Sequence, residues 1–200
     1  MQRITVSTCG TSVFTNGTRY EHIKFLHRNA NKHEKEYTSS DLEIFERIID
    51  VRREKLINAA PNEAQKLSSE LNGFVAYYEN GENLSEAAND IHYLLHTDTY
   101  QGLRAAELIE AWGEANDIKF QPVLINDLNT ASVKEFLLGI DSLVEWCEKT
   151  LPSYRSDGYK IIFNLAGGFK SFNSHMQRLS MTYADETISI FENGNELLIF

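Results

Sequence analysis

Apolar and polar positions along this 200-residue chain change period more than once. Arg3 to Ser7 alternates β-branched residues and then meets Thr8-Cys9-Gly10-Thr11-Ser12. That pattern predicts a strand whose C-terminal end runs into a loop of small residues. The period then becomes helical. A polar helix is expected around Tyr20 to Arg28, and Ser39-Ser40-Asp41 offers caps for a strongly periodic one. Leu42, Phe45, Ile48, Ile49, Leu56 and Ile57 form its apolar face. Pro61 suits the first turn of a further helix, with Ala64, Leu67, Leu71, Phe74, Val75 and Tyr78 on one side and Asn80-Gly81 closing it.

From Asp90 onward, strand and helix patterns alternate. Ile91 to His96 is a short buried strand, and Thr97-Asp98-Thr99 caps a helix from Tyr100 to Asn116 with Leu103, Ala106, Leu108, Ile109 and Trp112 inward. Phe120 to Ile125 is a strand and Ser132 to Lys149 a long amphipathic helix. Lys160 to Leu165 is the next strand, ending in Ala166-Gly167-Gly168-Phe169-Lys170 before a helix to Tyr183. Thr187 to Phe191, the turn Glu192-Asn193-Gly194-Asn195 and Glu196 to Phe200 read as a closing β-hairpin. Strands alternating with helices imply an α/β fold, with a mostly parallel sheet and helices on both faces. The helices between residues 39 and 80 read as an insertion after the first βα unit of one domain spanning 1–200, and Asn80 to Asn89 as a flexible connector.

Composition narrows the function classes. With 19 Lys+Arg against 29 Asp+Glu, the net charge is −10, a poor basis for holding duplex nucleic acid or an anionic membrane. Residues 1–20 and 158–184 nevertheless contain no acid; they carry Arg3, Arg19, Lys160, Lys170 and Arg178. Both stretches include a strand-end loop, where α/β sheets bind ligands, so anion binding is expected there. Two cysteines make no disulfide framework, no apolar run is long enough to span a bilayer, and the N-terminal residues lack a signal peptide's apolar stretch. A cytoplasmic setting is the expectation.

Familiar chemical motifs fail in turn. Gly10 stands without the spaced glycines of a dinucleotide loop, no Gly-Lys-Ser/Thr follows it, and Thr15 occupies the place of a phosphatase loop's arginine. Cys9 reads more simply as a packed residue in a tight turn. His92 and His96 share a strand face without a metal's geometry, and Tyr93 takes the place of a zincin glutamate. Neither a metal nor a cofactor is expected. Backbone N–H groups in two small-residue loops, each ahead of a helix, remain as the candidate anion site.

Three strings in register carry a resemblance. Ser7-Thr8-Cys9-Gly10-Thr11-Ser12-Val13-Phe14-Thr15-Asn16 resembles the first loop of the CRISPR-associated Rossmann fold, or CARF, domain of type III CRISPR systems. Thr97-Asp98-Thr99-Tyr100-Gln101-Gly102 is similar to the family's Ser/Thr-Asp-Thr loop. Asn164-Leu165-Ala166-Gly167-Gly168-Phe169-Lys170 is similar to its Asn-x-Thr-Gly-Gly-Phe-Lys loop, with Ala166 in place of Thr. The closing hairpin, with Phe191-Glu192-Asn193-Gly194 and Leu197-Leu198-Ile199, matches as well.

The resemblance implies a Rossmann-like fold and a cyclic oligoadenylate ligand, most often the four-membered ring, bound across a homodimer. Backbone N–H groups of Gly10, Thr11 and Ser12, and of Gly167, Gly168, Phe169 and Lys170, are the implied phosphate-binding groups. Asn16 and Thr99 would reach ribose or adenine edges, Phe14 or Phe169 would wall the base, and Cys9, Thr97 and Asp98 are further implied ligand-binding positions. Some members cut the ring without a metal. For those the resemblance implies Lys170 as the cationic stabiliser and Ser12 as a hydroxyl donor or positioning group. No general base is evident in the loops. Sensor-only members carry the same lysine, and in effectors an output domain follows about where Leu197 to Phe200 lies. A ring nuclease and a sensor domain of a longer protein therefore stand side by side. A DNA-binding transcription module is disfavoured by the acidity and by the lack of a basic recognition helix.

Overall fold

The computed structural model describes residues 2–191 and 196–200. In chain order the elements are β1 (Arg3–Thr8), α1 (Ser12–Thr15), α2 (Tyr20–Arg28), α3 (Ser39–Ile57), α4 (Pro61–Leu67) and α5 (Ser69–Tyr77). There follow β2 (Ile91–His96), α6 (Tyr100–Ala115), β3 (Phe120–Leu124), α7 (Val133–Ser156), β4 (Lys160–Asn164), α8 (Lys170–Tyr183), β5 (Glu186–Ile190) and β6 (Leu197–Ile199). The strands form one sheet in the order β3-β2-β1-β4-β5-β6. All neighbours are parallel except β5 and β6, which pair antiparallel. The fold is Rossmann-like α/β, as the alternating pattern predicts.

The sheet is buried on both sides because its strands feed two cores. Ile4, Val6, Leu95, Ile161 and Phe163 pack under α7 and α8 with Leu143, Cys147, Phe172 and Met176. Leu94 and Phe120 join the opposite core, built from α1 to α6 around Phe14, Phe45, Leu71, Phe74 and Trp112. The helices inserted after β1 thus share a core with β2, β3 and α6. Connections from β1 step to β2 and then β3 on one side, whereas β4 and β5 lie on the other. The topological switch point falls between the ends of β1 and β4, where Ser7 lies in register with Asn164.

The structure departs from the periodicity in four places. The helix expected from Pro61 is two helices, because Ser68 is extended (φ −143°) and its hydroxyl accepts from the Leu71 N–H to start α5. Asn80 to Asn89, expected as a connector, forms short 3₁₀ turns with Ala87 buried. Leu103 is exposed rather than inward. The long helix runs seven residues past Lys149, to Ser156, through Pro152. The turn expected at Glu192 to Asn195 lies outside the described residues. Among the described residues no helix is long and apolar enough to cross a membrane.

Candidate functional site

The ends of β1, β2 and β4 converge on a cleft of about 340 Å³. Gly10, Thr11 and Ser12 enter from the β1 loop, Thr97 and Thr99 from the β2 loop, and Gly168 and Phe169 from the β4 loop. Asn31 and Thr130 face them, and Thr130 donates through both its N–H and its hydroxyl to Asn31 Oδ1 at 3.0 and 2.8 Å.

The loops are held by buried polar side chains. Asn164 Nδ2 donates to Ser7 Oγ (3.2 Å) and to the Glu70 carbonyl (3.0 Å), while its Oδ1 accepts from the Ala166 N–H. Asn173 Nδ2 and the Thr8 hydroxyl both donate to the Gly167 carbonyl, at 2.7 and 2.9 Å. Gly168 sits at φ +79°, a backbone region that favours glycine. Such mutual satisfaction fixes the loop shape before any ligand arrives.

The floor of the cleft is Glu70, from the start of α5. It is only 1% exposed, yet four donors converge on its carboxylate. Oε1 accepts from the Gly10 N–H at 2.7 Å and the Gly168 N–H at 3.3 Å. Oε2 accepts from the hydroxyls of Ser12 (2.5 Å) and Ser68 (2.7 Å), and Ser12 Oγ in turn accepts from the Ser69 N–H at 2.9 Å. A Cβ on Gly167 would lie 2.3 Å from Glu70 Oε1, so only glycine lets this carboxylate sit against the loop. Two of the backbone donors expected to hold phosphate, those of Gly10 and Gly168, are therefore occupied by the protein's own anion. Among the described cleft-lining residues Glu70 is the one carboxylate, and α5 brings it to Ser12.

The other sequence candidates divide by direction. Thr97 and Thr99 line the cleft with their hydroxyls 2.9 Å apart, and Thr99 Oγ1 also accepts from the Gly102 N–H to cap α6. Phe169 forms part of the wall and stacks on Phe172. Lys170 follows it, exposed at the first position of α8. Cys9 and Phe14 turn away: both are core residues, Phe14 packing edge-on against Phe45. Burial, and next the Glu70 charge, push the Cys9 thiol well above its usual range. Neither side chain is placed to touch a ligand in the cleft. Asn16 Nδ2 donates to the Lys66 carbonyl (3.3 Å), and Asp98 accepts from the Asp127 N–H (3.2 Å); both lie outside the lining.

The acid-free stretches do not gather their cations here. Arg3 pairs with Asp90 and Glu86, and Lys160 with Glu186. Arg19 lines a different groove, so no Lys or Arg belongs to the cleft lining.

A family model, CRISPR-associated protein (Cas_APE2256), matches residues 65–200, which include Glu70 and the β2 and β4 loops. The chain belongs to this CRISPR-associated family. The family is CARF-like and type III associated, in agreement with the resemblance carried by the β2 and β4 loops. No curated protein matches the chain. The β1 loop, α1, α2 and α3 lie outside the matched range.

Proposed function

We propose that the protein binds a cyclic oligoadenylate, with cyclic tetra-adenylate the favoured ring, across a homodimer in type III CRISPR signalling. The observation that carries this is the convergence of three strand-end loops, two of them rich in hydroxyls and the third in glycine, on one cleft at the switch point. At about 340 Å³ the cleft is at the small end of ligand sites and too small for four nucleotides. A ring shared by two copies, each taking the same part of it, fits that size. Thr97, Thr99 and Ser12 supply hydroxyls, Phe169 an apolar wall, and the exposed Lys170, next to Phe169 in the chain, would supply a cation.

A second reading, ring cleavage, rests on the 2.5 Å contact between Ser12 and Glu70. The ribose 2′-oxygen attacks the adjacent phosphorus, the bond from phosphorus to the 5′-oxygen breaks, and a 2′,3′-cyclic phosphate and a 5′-hydroxyl result. In this reading Glu70 would accept, through Ser12, the proton lost by the 2′-oxygen, solvent water would protonate the departing 5′-oxygen, and Lys170 would offset charge on the phosphoryl oxygens. Sensing alone is the alternative, because Ser12 is already engaged by Glu70 and Ser69.

Incubating excess protein with cyclic tetra-adenylate in EDTA, followed by chromatography of free and bound nucleotide, separates these outcomes. Ring recovered intact with the protein supports sensing, and linear products ending in 2′,3′-cyclic phosphate support cleavage. Failure of both cyclic tetra- and hexa-adenylate to bind overturns the proposal. Where cleavage occurs, Lys170→Ala slows single turnover by about a hundredfold, the scale of one lost preorganised charge-stabilising group.

A further inference from the structure

A second groove, of about 490 Å³, lies between the α1–α2 turn and one face of α3. From α3 it takes Ile44, Arg47, Ile48, Val51, Arg52 and Lys55, spaced as one stripe of a helix. Gly17, Thr18, Arg19 and His22 form the opposite side, and no Asp or Glu belongs to the lining. Arg47 is drawn toward Glu43 at 3.4 Å, which leaves Arg19, Arg52 and Lys55 without a carboxylate partner among the described residues.

Arg52 is the unusual member. It is 6% exposed and buried without a counter-charge. Its Nη2 donates to the carbonyls of Phe14 (3.0 Å) and Asn16 (2.5 Å) and to the Thr18 hydroxyl. Nη1 and Nε make no hydrogen bond among the described residues, although the side chain lines the groove. Burial draws the guanidinium below its usual range, consistent with a charge lacking compensation. Beside it the apolar Val51 and Ile44 are 65% and 38% exposed. A buried guanidinium with free donors, two nearby cations and an open apolar strip match a ligand with an anionic head and a flat or apolar body.

We infer that this groove is a second ligand site for a small organic phosphate, its phosphomonoester seated among Arg19, Arg52 and Lys55 and its body on Ile44 and Val51. The residues involved belong to α1 through α3 and their turns, outside the matched family range. The site is separate from the strand-end cleft and does not rest on the cyclic oligoadenylate proposal.

The test titrates 5′-AMP, inorganic phosphate and adenosine into the methyl-labelled full chain, reading NMR shifts and calorimetric affinity. 5′-AMP is expected to shift the Ile44 and Val51 methyls and saturate at one per chain, phosphate to shift them more weakly, and adenosine to leave them unmoved. The surface double variant Arg19→Gln/Lys55→Gln lowers 5′-AMP affinity at least about tenfold with its melting temperature unchanged. Arg52→Met, if it folds, abolishes binding; if it does not, the surface pair decides. The inference is overturned if 5′-AMP leaves the groove methyls unmoved, if it shifts the Thr97 and Thr99 signals instead, or if the double variant binds as tightly as the parent. Self-association through the groove, seen as added phosphate lowering the sedimentation coefficient without a bound 5′-AMP, also overturns it.

Discussion

The two concavities of this protein solve charge in opposite ways. The strand-end cleft is lined by hydroxyls, an amide and backbone N–H groups over a buried carboxylate, whereas the groove on α3 is lined by cations and apolar carbons without a carboxylate. Backbone donors at strand ends can satisfy an anion with no Lys or Arg present, and Glu70 is that anion in the structure. The α3 groove instead holds a buried cation whose hydrogen bonds go only to carbonyls and a hydroxyl. One site carries its own anion and the other lacks one. An incoming phosphate therefore either competes with Glu70 or binds beside it in the cleft, while in the groove it supplies missing charge.

The sharpest way to break this contrast is Glu70 itself. Glu70→Ala strands two backbone N–H groups and two hydroxyls, and we expect about 4 kcal/mol lost in urea unfolding. Glu70→Gln keeps the shape and one acceptor oxygen and costs less, about 1–2 kcal/mol. Removing the negative charge while keeping the bulk should also tighten cyclic tetra-adenylate binding, by about tenfold. A Glu70→Ala protein as stable as the parent would show that the cleft is not built on this carboxylate. Unchanged or weaker nucleotide binding in the Gln variant would mean that the ligand does not sense the floor's charge.

Acid separates the two regions next. His92 and His96 lie on β2, which delivers Thr97 and Thr99 to the cleft, and burial lowers both pKa values, that of His92 to about 4. The His92 Nε2 contact with the Ala87 carbonyl (2.8 Å) and the nearby Asp90 work against that shift without reversing it. The unfolded chain takes up the proton near the ordinary histidine value, so it holds more protons than the folded chain between about pH 6.5 and 4. Stability is therefore full above that window and falls as pH drops through it, by about 3 kcal/mol in all for His92. Hydrogen exchange should show β2 protection reduced at pH 5, and His92→Gln should flatten the pH dependence of unfolding. Equal acid sensitivity in that variant would remove His92 as the cause.

The difference between the regions also marks what was legible in the sequence. The strand-end loops could be read because small residues after an alternating run are local signals, and the three strings lie on three adjacent strands. Glu70 is not evident from local sequence because three of its four donors are 58 to 98 residues away. A signal existed: Leu67, Glu70, Leu71 and Phe74 share one helical stripe, so a glutamate stands where the pattern calls for an apolar residue. Ser68-Ser69 just before it also mark the break into two helices that the periodicity alone had merged. The charge gap was read correctly as a sequence fact, but folding scatters its cations: Arg3 and Lys160 go to ion pairs and Arg19 to the other groove. Nothing local in the α3 sequence says that Arg52 turns inward toward the α1 carbonyls, because both acceptors lie more than 30 residues away in the chain.

Cys9 gives the smallest and cleanest test of where the cleft ends. It stands in the same string as Gly10, Thr11 and Ser12, and a motif comparison treats all four alike. Side chains leaving a strand alternate in direction, however. The Thr8 hydroxyl reaches the Gly167 carbonyl, and the Cys9 thiol joins the core with Val13 and Phe14, making only a long 3.8 Å contact with the Gly10 carbonyl. Cys9→Ala should therefore cost about 1 kcal/mol, the loss of one small buried group. Affinity for cyclic tetra-adenylate should be unchanged, whereas Thr11→Ala and Ser12→Ala, at cleft-lining positions, should each weaken it. The same geometry predicts that native Cys9 resists alkylation at pH 7, since burial both shields the thiol and keeps it protonated. A Cys9→Ala variant that folds as well as the parent but loses nucleotide would move the cleft's boundary inward, past the side chains that now separate it from the core.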